Sequence, residues 1–160
     1  MKALIISDSH GMRSSIQKVF DRVGQMDMVI HLGDVCGDES YIRENAGCKV
    51  WMVAGNNDYH TDLNREEIIE IGTHRALLTH GHRSYANYRT DILEEEGRTM
   101  GMDIVMFGHT HVPLIQQENG LYLINPGSLA YPRQANHKRS FILMELDKEE
   151  KLHFSLDYLD

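Results

Sequence analysis

The chain is poor in cysteine, has no long apolar run and carries no block of basic residues. Only Cys36 and Cys48 occur among its 160 residues, and neither has a partner at CxxC spacing. A disulfide framework and a thiolate zinc site are therefore not expected; the two residues read as free thiols. No apolar stretch approaches the roughly 18 residues that span a bilayer, so no membrane partner is expected. The N-terminal Met1-Lys2-Ala3-Leu4-Ile5-Ile6-Ser7-Asp8 is apolar for only a few residues. It reads as a first strand rather than a secretion signal, and the expected location is cytoplasmic. The formal charge is −8 with no run of Lys or Arg, which argues against binding nucleic acid polymers, since those need basic patches.

What the chain does have is a set of short apolar runs, each ending in a polar motif. Leu4-Ile5-Ile6 leads to Asp8-Ser9-His10, and Met28-Val29-Ile30 leads to Gly33-Asp34. Trp51-Met52-Val53 leads to Gly55-Asn56-Asn57-Asp58. Leu77-Leu78 leads to His80-Gly81-His82, and Ile104-Val105-Met106-Phe107 to Gly108-His109-Thr110-His111. Short β-branched runs bounded by Gly and polar residues read as buried strands. In open α/β sheets ligands gather at the carboxyl ends of strands. Residues far apart in sequence are therefore expected to converge along one sheet edge.

Residues 12–24 place Ile16, Val19, Phe20 and Val23 at i, i+3, i+4, i+7 spacing, the stripe of an amphipathic helix. A shorter helix is predicted over 38–46 and a third over 85–100, with Glu94-Glu95-Glu96 on its wet face. The second half is richer in strands: 68–71, 75–79, 103–107, 114–117, 121–125, 141–146 and 152–156. Glu118-Asn119-Gly120 makes a hairpin turn between two of them, and residues 147–150 turn the last pair. Strand–helix alternation in front and hairpins behind predict an α/β fold. The expected form is a four-layer α-β-β-α sandwich of two mixed sheets with outer helices, one domain over 1–160.

Imidazole, carboxylate and amide oxygens together suit divalent transition metals. A two-metal hydrolase also needs a shared carboxylate that holds the ions roughly 3.5–4 Å apart. Asp34, after a glycine that lets the chain turn, is the candidate for that role. Asp8 with His10, and His109 with His111, alternate along extended segments, so each pair faces one way. Asn56 offers a neutral oxygen.

With its motifs in the order DxH, GD, GNxD, HGH and GHTH, the chain resembles the calcineurin-like metallophosphoesterase superfamily. It is most similar to the small, cap-less bacterial and archaeal phosphodiesterases. Asn125-Pro126-Gly127-Ser128 and Pro132-Arg133 extend the likeness over nearly the whole chain. The resemblance implies two metal sites. Asp8, His10 and His111 would bind the first ion, Asn56, His80 and His109 the second, and Asp34 both. It implies manganese, with nickel, cobalt, iron or zinc as alternatives, and a metal-activated hydroxide that attacks a small phosphate ester. A phosphomonoesterase or a nucleotide pyrophosphatase would use the same site. A eukaryotic retromer subunit that resembles this fold serves as a scaffold with an incomplete ligand set, whereas here every position is filled. Small members often self-associate, so a homo-oligomer is an open expectation.

One departure concerns Asn57. Many members have His there, and small phosphodiesterases often Cys; an amide cannot serve as a general acid. Asp58 is read either as holding Asn57 or a ligand histidine, or as stabilising its own turn. His82 is read as a substrate contact or proton donor, or as support for His80. His31 reads as structural, and His60, His74, His137 and His153 as ordinary positions. Arg133 is placed either on a phosphate or in a surface salt bridge, Ser128 in shaping its turn, and Cys36 as a small buried residue.

Overall fold

The computed structural model describes residues 1–159. In chain order its elements are β1 (Lys2–Ile6), α1 (Arg13–Val23), β2 (Met28–His31), α2 (Glu39–Asn45), β3 (Lys49–Met52), β4 (Glu66–Ile71) and β5 (His74–Thr79). They continue with α3 (Asp91–Thr99), β6 (Ile104–Met106), β7 (Pro113–Glu118), β8 (Leu121–Pro126), β9 (Ser140–Leu146) and β10 (Leu152–Tyr158). Two five-stranded sheets result, ordered β10-β9-β1-β2-β3 and β4-β5-β6-β8-β7. Both are mixed. β1, β2 and β3 run parallel, as do β5, β6 and β8, with antiparallel strands completing each sheet.

Alternation along each central strand builds three apolar layers. Ala3 and Ile5 of β1, Ile30 of β2, Leu78 of β5 and Ile104 of β6 fill the space between the sheets. Leu4 and Ile6 point the other way and pack with Ile16 and Val19 of α1 and Ile42 of α2. Leu77, Val105 and Leu123 cover the outer face of the second sheet together with Leu93 of α3. Helices thus lie outside two face-to-face sheets, the four-layer order expected from the sequence. Among the described residues, no helix is long and apolar enough to cross a membrane.

The structure corrects the sequence reading of the fold in two places. The predicted helix 85–100 begins only at Asp91. Upstream, a short 3-10 turn at His82–Ser84 ends at Tyr85, whose φ of +55° is left-handed and incompatible with helix continuation. The motifs also meet along the carboxyl edges of two sheets rather than one, because β1–β3 belong to the first sheet and β5 and β6 to the second. The predicted hairpin turn is present, with Asn119 and Gly120 both at positive φ.

Candidate metal centre

Each motif occupies the loop leaving a parallel strand, β1, β2, β3, β5 or β6, so the five segments meet where the two sheets' carboxyl edges face each other. Asp8, His10, Asp34 and His111 each bring a ligand atom within 4.8 Å of the others. Asp8 is fully buried and Asp34 nearly so. Ser7 Oγ (2.6 Å) and the His109 amide (3.0 Å) donate to Asp8 Oδ2. Asp8 Oδ1 is buried and accepts no hydrogen bond. It lies 3.0 Å from His111 Nε2 and 3.9 Å from both His10 Nε2 and His80 Nε2. Asp34 Oδ2 lies 3.5 Å from His80 Nε2 and 3.6 Å from His10 Nε2.

Two of these rings have their tautomers set from behind. His80 Nδ1 is 2.7 Å from the Leu32 carbonyl, and His111 Nδ1 is 2.7 Å from that of Tyr131. A carbonyl only accepts, so Nδ1 carries the proton and the Nε2 lone pair faces the carboxylates. Metal-binding histidines are oriented in this way. A buried, unpartnered carboxylate oxygen among inward-facing lone pairs is a set of acceptors that only a cation or protons can satisfy. The residues present fit a divalent metal.

The remaining candidates adjoin this group. His80 Nε2 is 3.1 Å from Asn56 Oδ1, and the His80 and His109 rings are 5.1 Å apart. The electrostatics point the same way. Burial opposes the charge on Asp8, but the close approach of His111 and the nearby His80 outweigh it and lower its pKa. Asp34 is likewise held well below the usual carboxylate range, against burial, by His80 and by donation from Asn57. Burial lowers His80, yet Asp34 and Asp8 raise it overall, as they would any cation there. His109 is pushed down to about 4 by burial and by His80, which keeps its nitrogens neutral, as ligation requires.

Backbone geometry shows how tightly the loops are wound. Asp8, His10, Asp34, His109 and His111 all have φ between +45° and +67°, so the two His-bearing pairs lie on wound loops and not on the extended segments expected from their spacing. That region costs roughly 1 kcal/mol or more for a residue with a Cβ, and such strain collects at functional sites. Two glycines permit the closest approaches. A Cβ on Gly55 would overlap the Asp34 main-chain nitrogen and Oδ1, and one on Gly108 would overlap Ser7 Oγ and lie 2.8 Å from Asp8 Oδ2.

Asn57 grips Asp34 twice, its main-chain N–H on Oδ1 (2.9 Å) and its side-chain amide on Oδ2 (2.7 Å). Asp58 bonds neither Asn57 nor a histidine. It accepts from the amides of Val35 (3.2 Å), Cys36 (2.7 Å) and Gly55 (2.8 Å), tying its own turn to the Asp34 loop. His82 packs against His80 and His109 at ring distances of 5.4 and 6.0 Å and leaves its buried Nδ1 unpaired. Ser128 Oγ donates to the Asp8 carbonyl (2.8 Å). His31 is buried with Ser9 Oγ at 2.9 Å, so its role is structural. Cys36 is exposed rather than buried, because its left-handed loop turns outward, and its sulfur lies 3.8 Å from His10 Nδ1. His74 and His153 bond the 147–150 turn, away from the cluster.

The cluster opens into a cavity of about 220 Å³ whose wall includes Asn57, Asn87, Tyr131 and Arg133. Sequence reasoning missed Asn87 and Tyr131. Asn87 Nδ2 lies 2.7 Å from His109 Nε2, and the Tyr131 ring stands 5.2 Å from that of His10. Asn87 falls within the segment read as a helix, and neither residue belongs to a spaced motif.

Residues 1–149 match the model of the calcineurin-like phosphoesterase superfamily domain. The chain is similar to MJ0623, a probable metallophosphoesterase of Methanocaldococcus jannaschii. Identity is 35% over 155 residues, covering 95% of this chain and 78% of that protein. The phosphodiesterase MJ0936 of the same organism is 30% identical over 145 residues, covering 79% of this chain and 83% of its own. A conserved Streptococcus pneumoniae protein, a predicted phosphoesterase, superposes with a TM-score of 0.80 at 26% identity, covering 98% of this chain and 97% of that one. A single mutant of Entamoeba histolytica Vps29 superposes at 0.79 with 27% identity, covering 99% of each. The chain belongs to the calcineurin-like phosphoesterase superfamily, among its small bacterial and archaeal metallophosphoesterases, and is a hydrolase acting on phosphoric esters.

Proposed function

We propose that this chain, working as one domain over 1–160, is a phosphodiesterase that cleaves small phosphodiesters with two divalent cations, manganese first among the candidates. The observation that carries the reading is Asp8 Oδ1, a buried carboxylate oxygen with no hydrogen bond and three imidazole nitrogens 3.0–3.9 Å away. In this reading Asp8, His10 and His111 hold one cation, Asn56, His80 and His109 the other, and Asp34 is shared. Bound there, the cations supply Lewis-acid charge against phosphoryl oxygens and lower the pKa of water.

The chain's own residues orient and restrict the reaction. The Leu32 and Tyr131 carbonyls fix the His80 and His111 rings. Asn57 holds both oxygens of Asp34, and Asp58 holds the loop that carries it. Asn57 does not titrate, so it does not protonate a leaving oxygen, and substrates with good leaving groups are favoured. Among the described residues Arg133 is the one Lys or Arg in the cavity wall, in a chain with a net charge of −8. That balance suits a diester, with one charge, better than a monoester, with close to two. The relative MJ0936 is itself named a phosphodiesterase.

A second reading, a protein-binding scaffold, draws on the likeness to Vps29. The test is kcat/KM for bis(p-nitrophenyl) phosphate against p-nitrophenyl phosphate at equal Mn²⁺ and two salt concentrations. The diester should win at both. If the monoester wins at both, the protein is a phosphatase; if neither turns over, the scaffold reading replaces the enzyme.

A further inference from the structure

Beside the proposed ligands and Asn57, the cavity wall carries three side chains, those of Asn87, Tyr131 and Arg133. Tyr131 is 58% exposed although it stands directly over the site, its ring 5.2 Å from that of His10 at an interplanar angle of 56°. An exposed tyrosine at a cleft mouth contributes nothing to the three apolar layers, none of which includes it. Arg133 is exposed, and among the described residues its guanidinium has no hydrogen bond or ion pair. Asn87 is exposed, and only its Nδ2 is engaged, with His109.

The backbone that carries two of them is pinned to the site. The Tyr131 amide donates to Ser128 Oγ at 2.9 Å, and the Tyr131 carbonyl accepts from His111 Nδ1 at 2.7 Å. The Arg133 amide donates to the His111 carbonyl at 3.0 Å. The segment 131–133 is therefore bracketed by bonds to one candidate ligand and is positioned by the same contacts that position His111. A planar ring on a fixed backbone at the mouth of a phosphoryl site loses little entropy on binding. Its face accepts any flat π-system, and a neighbouring guanidinium adds a bidentate partner for a phosphoryl oxygen.

We propose that Tyr131 and Arg133, with Asn87 opposite, form a substrate-reading rim. Tyr131 stacks on a planar aromatic substituent of the phosphate ester, aryl or nucleobase, while Arg133 and the second N–H of Asn87 Nδ2 donate to phosphoryl oxygens. The rim sets which esters are bound well and leaves bond cleavage to the ligand cluster. This inference rests on the phosphoester reading of the site, but not on whether diesters or monoesters are cleaved.

The test uses binding, so that it stands apart from turnover. Phenylphosphonate and methylphosphonate present the same phosphoryl group with and without a ring, and neither is hydrolysed. Their Kd values are measured by calorimetry on Mn²⁺-supplemented full-length protein. The phenyl compound should bind more tightly by roughly 5- to 150-fold, the range that stacking on an aromatic side chain supplies. Tyr131→Leu should abolish that ratio with methylphosphonate affinity unchanged. Tyr131→Phe should preserve it, and Arg133→Gln should weaken both ligands alike. Tyr131 is exposed, so the leucine variant should fold, and the phenylalanine variant controls for general disturbance of His10. Equal binding of both compounds to the unmodified protein, or a ratio that survives Tyr131→Leu, overturns the rim and leaves the phosphoester reading standing. Binding of neither overturns both.

Discussion

Replacing Gly55 by alanine should cripple the site although no ligand residue is replaced. Gly55 carries no left-handed strain, so the added methyl is opposed only by space. That space is filled by Asp34: its main-chain nitrogen and Oδ1 both overlap the new Cβ, and its Cγ lies 2.8 Å away. A backbone nitrogen cannot swing aside as the end of a side chain can. The Asp34 loop must move, and Asp34 also receives both Asn57 bonds. Overpacking of this kind costs about 1–3 kcal/mol, or a fall in Tm of roughly 2–12 °C at this chain length. A shift of about 1 Å in a catalytic group costs on the order of 10²-fold in rate. Gly24→Ala is the control. Gly24 has nothing within 4 Å of its added Cβ, and its φ of +67° with ψ of −148° lies near a region that glycine alone favours, so it should lose about 1–3 kcal/mol and keep full activity. The assay is Tm by calorimetry beside kcat/KM on bis(p-nitrophenyl) phosphate with saturating Mn²⁺. If Gly55→Ala loses stability but keeps activity within twofold, the proposed dependence of the site on Asp34's placement is wrong.

Asn57 should leave the unmodified protein with rates that fall steeply as leaving-group pKa rises. Asn57→His should rescue poor leaving groups more than aryl ones, up to the 10²–10⁴-fold typical of a positioned acid, less whatever is lost with the bond to Asp34 Oδ2. A flat dependence across a series of substituted aryl and alkyl esters would show that another group already supplies the proton. His31 is buried and held near a pKa of about 4 by burial, against an ordinary 6.5. Its folded pKa is depressed, so its share of stability is complete above pH 6.5 and is lost as pH falls toward 4. The difference is worth about 3 kcal/mol. His31→Gln should flatten the stability profile across that window in urea titrations, and an unchanged slope would refute the assignment.

Much of the site was legible because its residues lie next to their own strand signals. Asp8 follows Ile6 by two residues and His109 follows Phe107 by two, so an apolar run and its motif could be read together. The layers were legible from alternation, as in Ala3 and Ile5 against Leu4 and Ile6. What escaped was placed by tertiary contact. Asn87 reaches His109 from within the segment 85–100 that reads as one helix in the sequence, yet Tyr85 turns left-handed there and the helix waits for Asp91. Thr90 before Asp91, a favoured residue type at a helix start, was the available signal. Tyr131 comes to His10 because its amide donates to Ser128 Oγ and its carbonyl accepts from His111, which no local pattern announces. Asp58 likewise binds amides 22 and 23 residues away, a partnership fixed by the pairing of β2 with β3.

The central claim is a two-cation centre built around Asp34, and metal stoichiometry tests it most directly. Chelated, purified protein is dialysed against Mn²⁺, and bound metal per chain is counted by atomic emission alongside activity. The account predicts about two ions per chain, loss of activity on chelation and its return with Mn²⁺. Asp34→Asn should weaken both sites, and His10→Ala chiefly one. A fully active protein that binds a single ion, or one that keeps its activity through chelation, would contradict it.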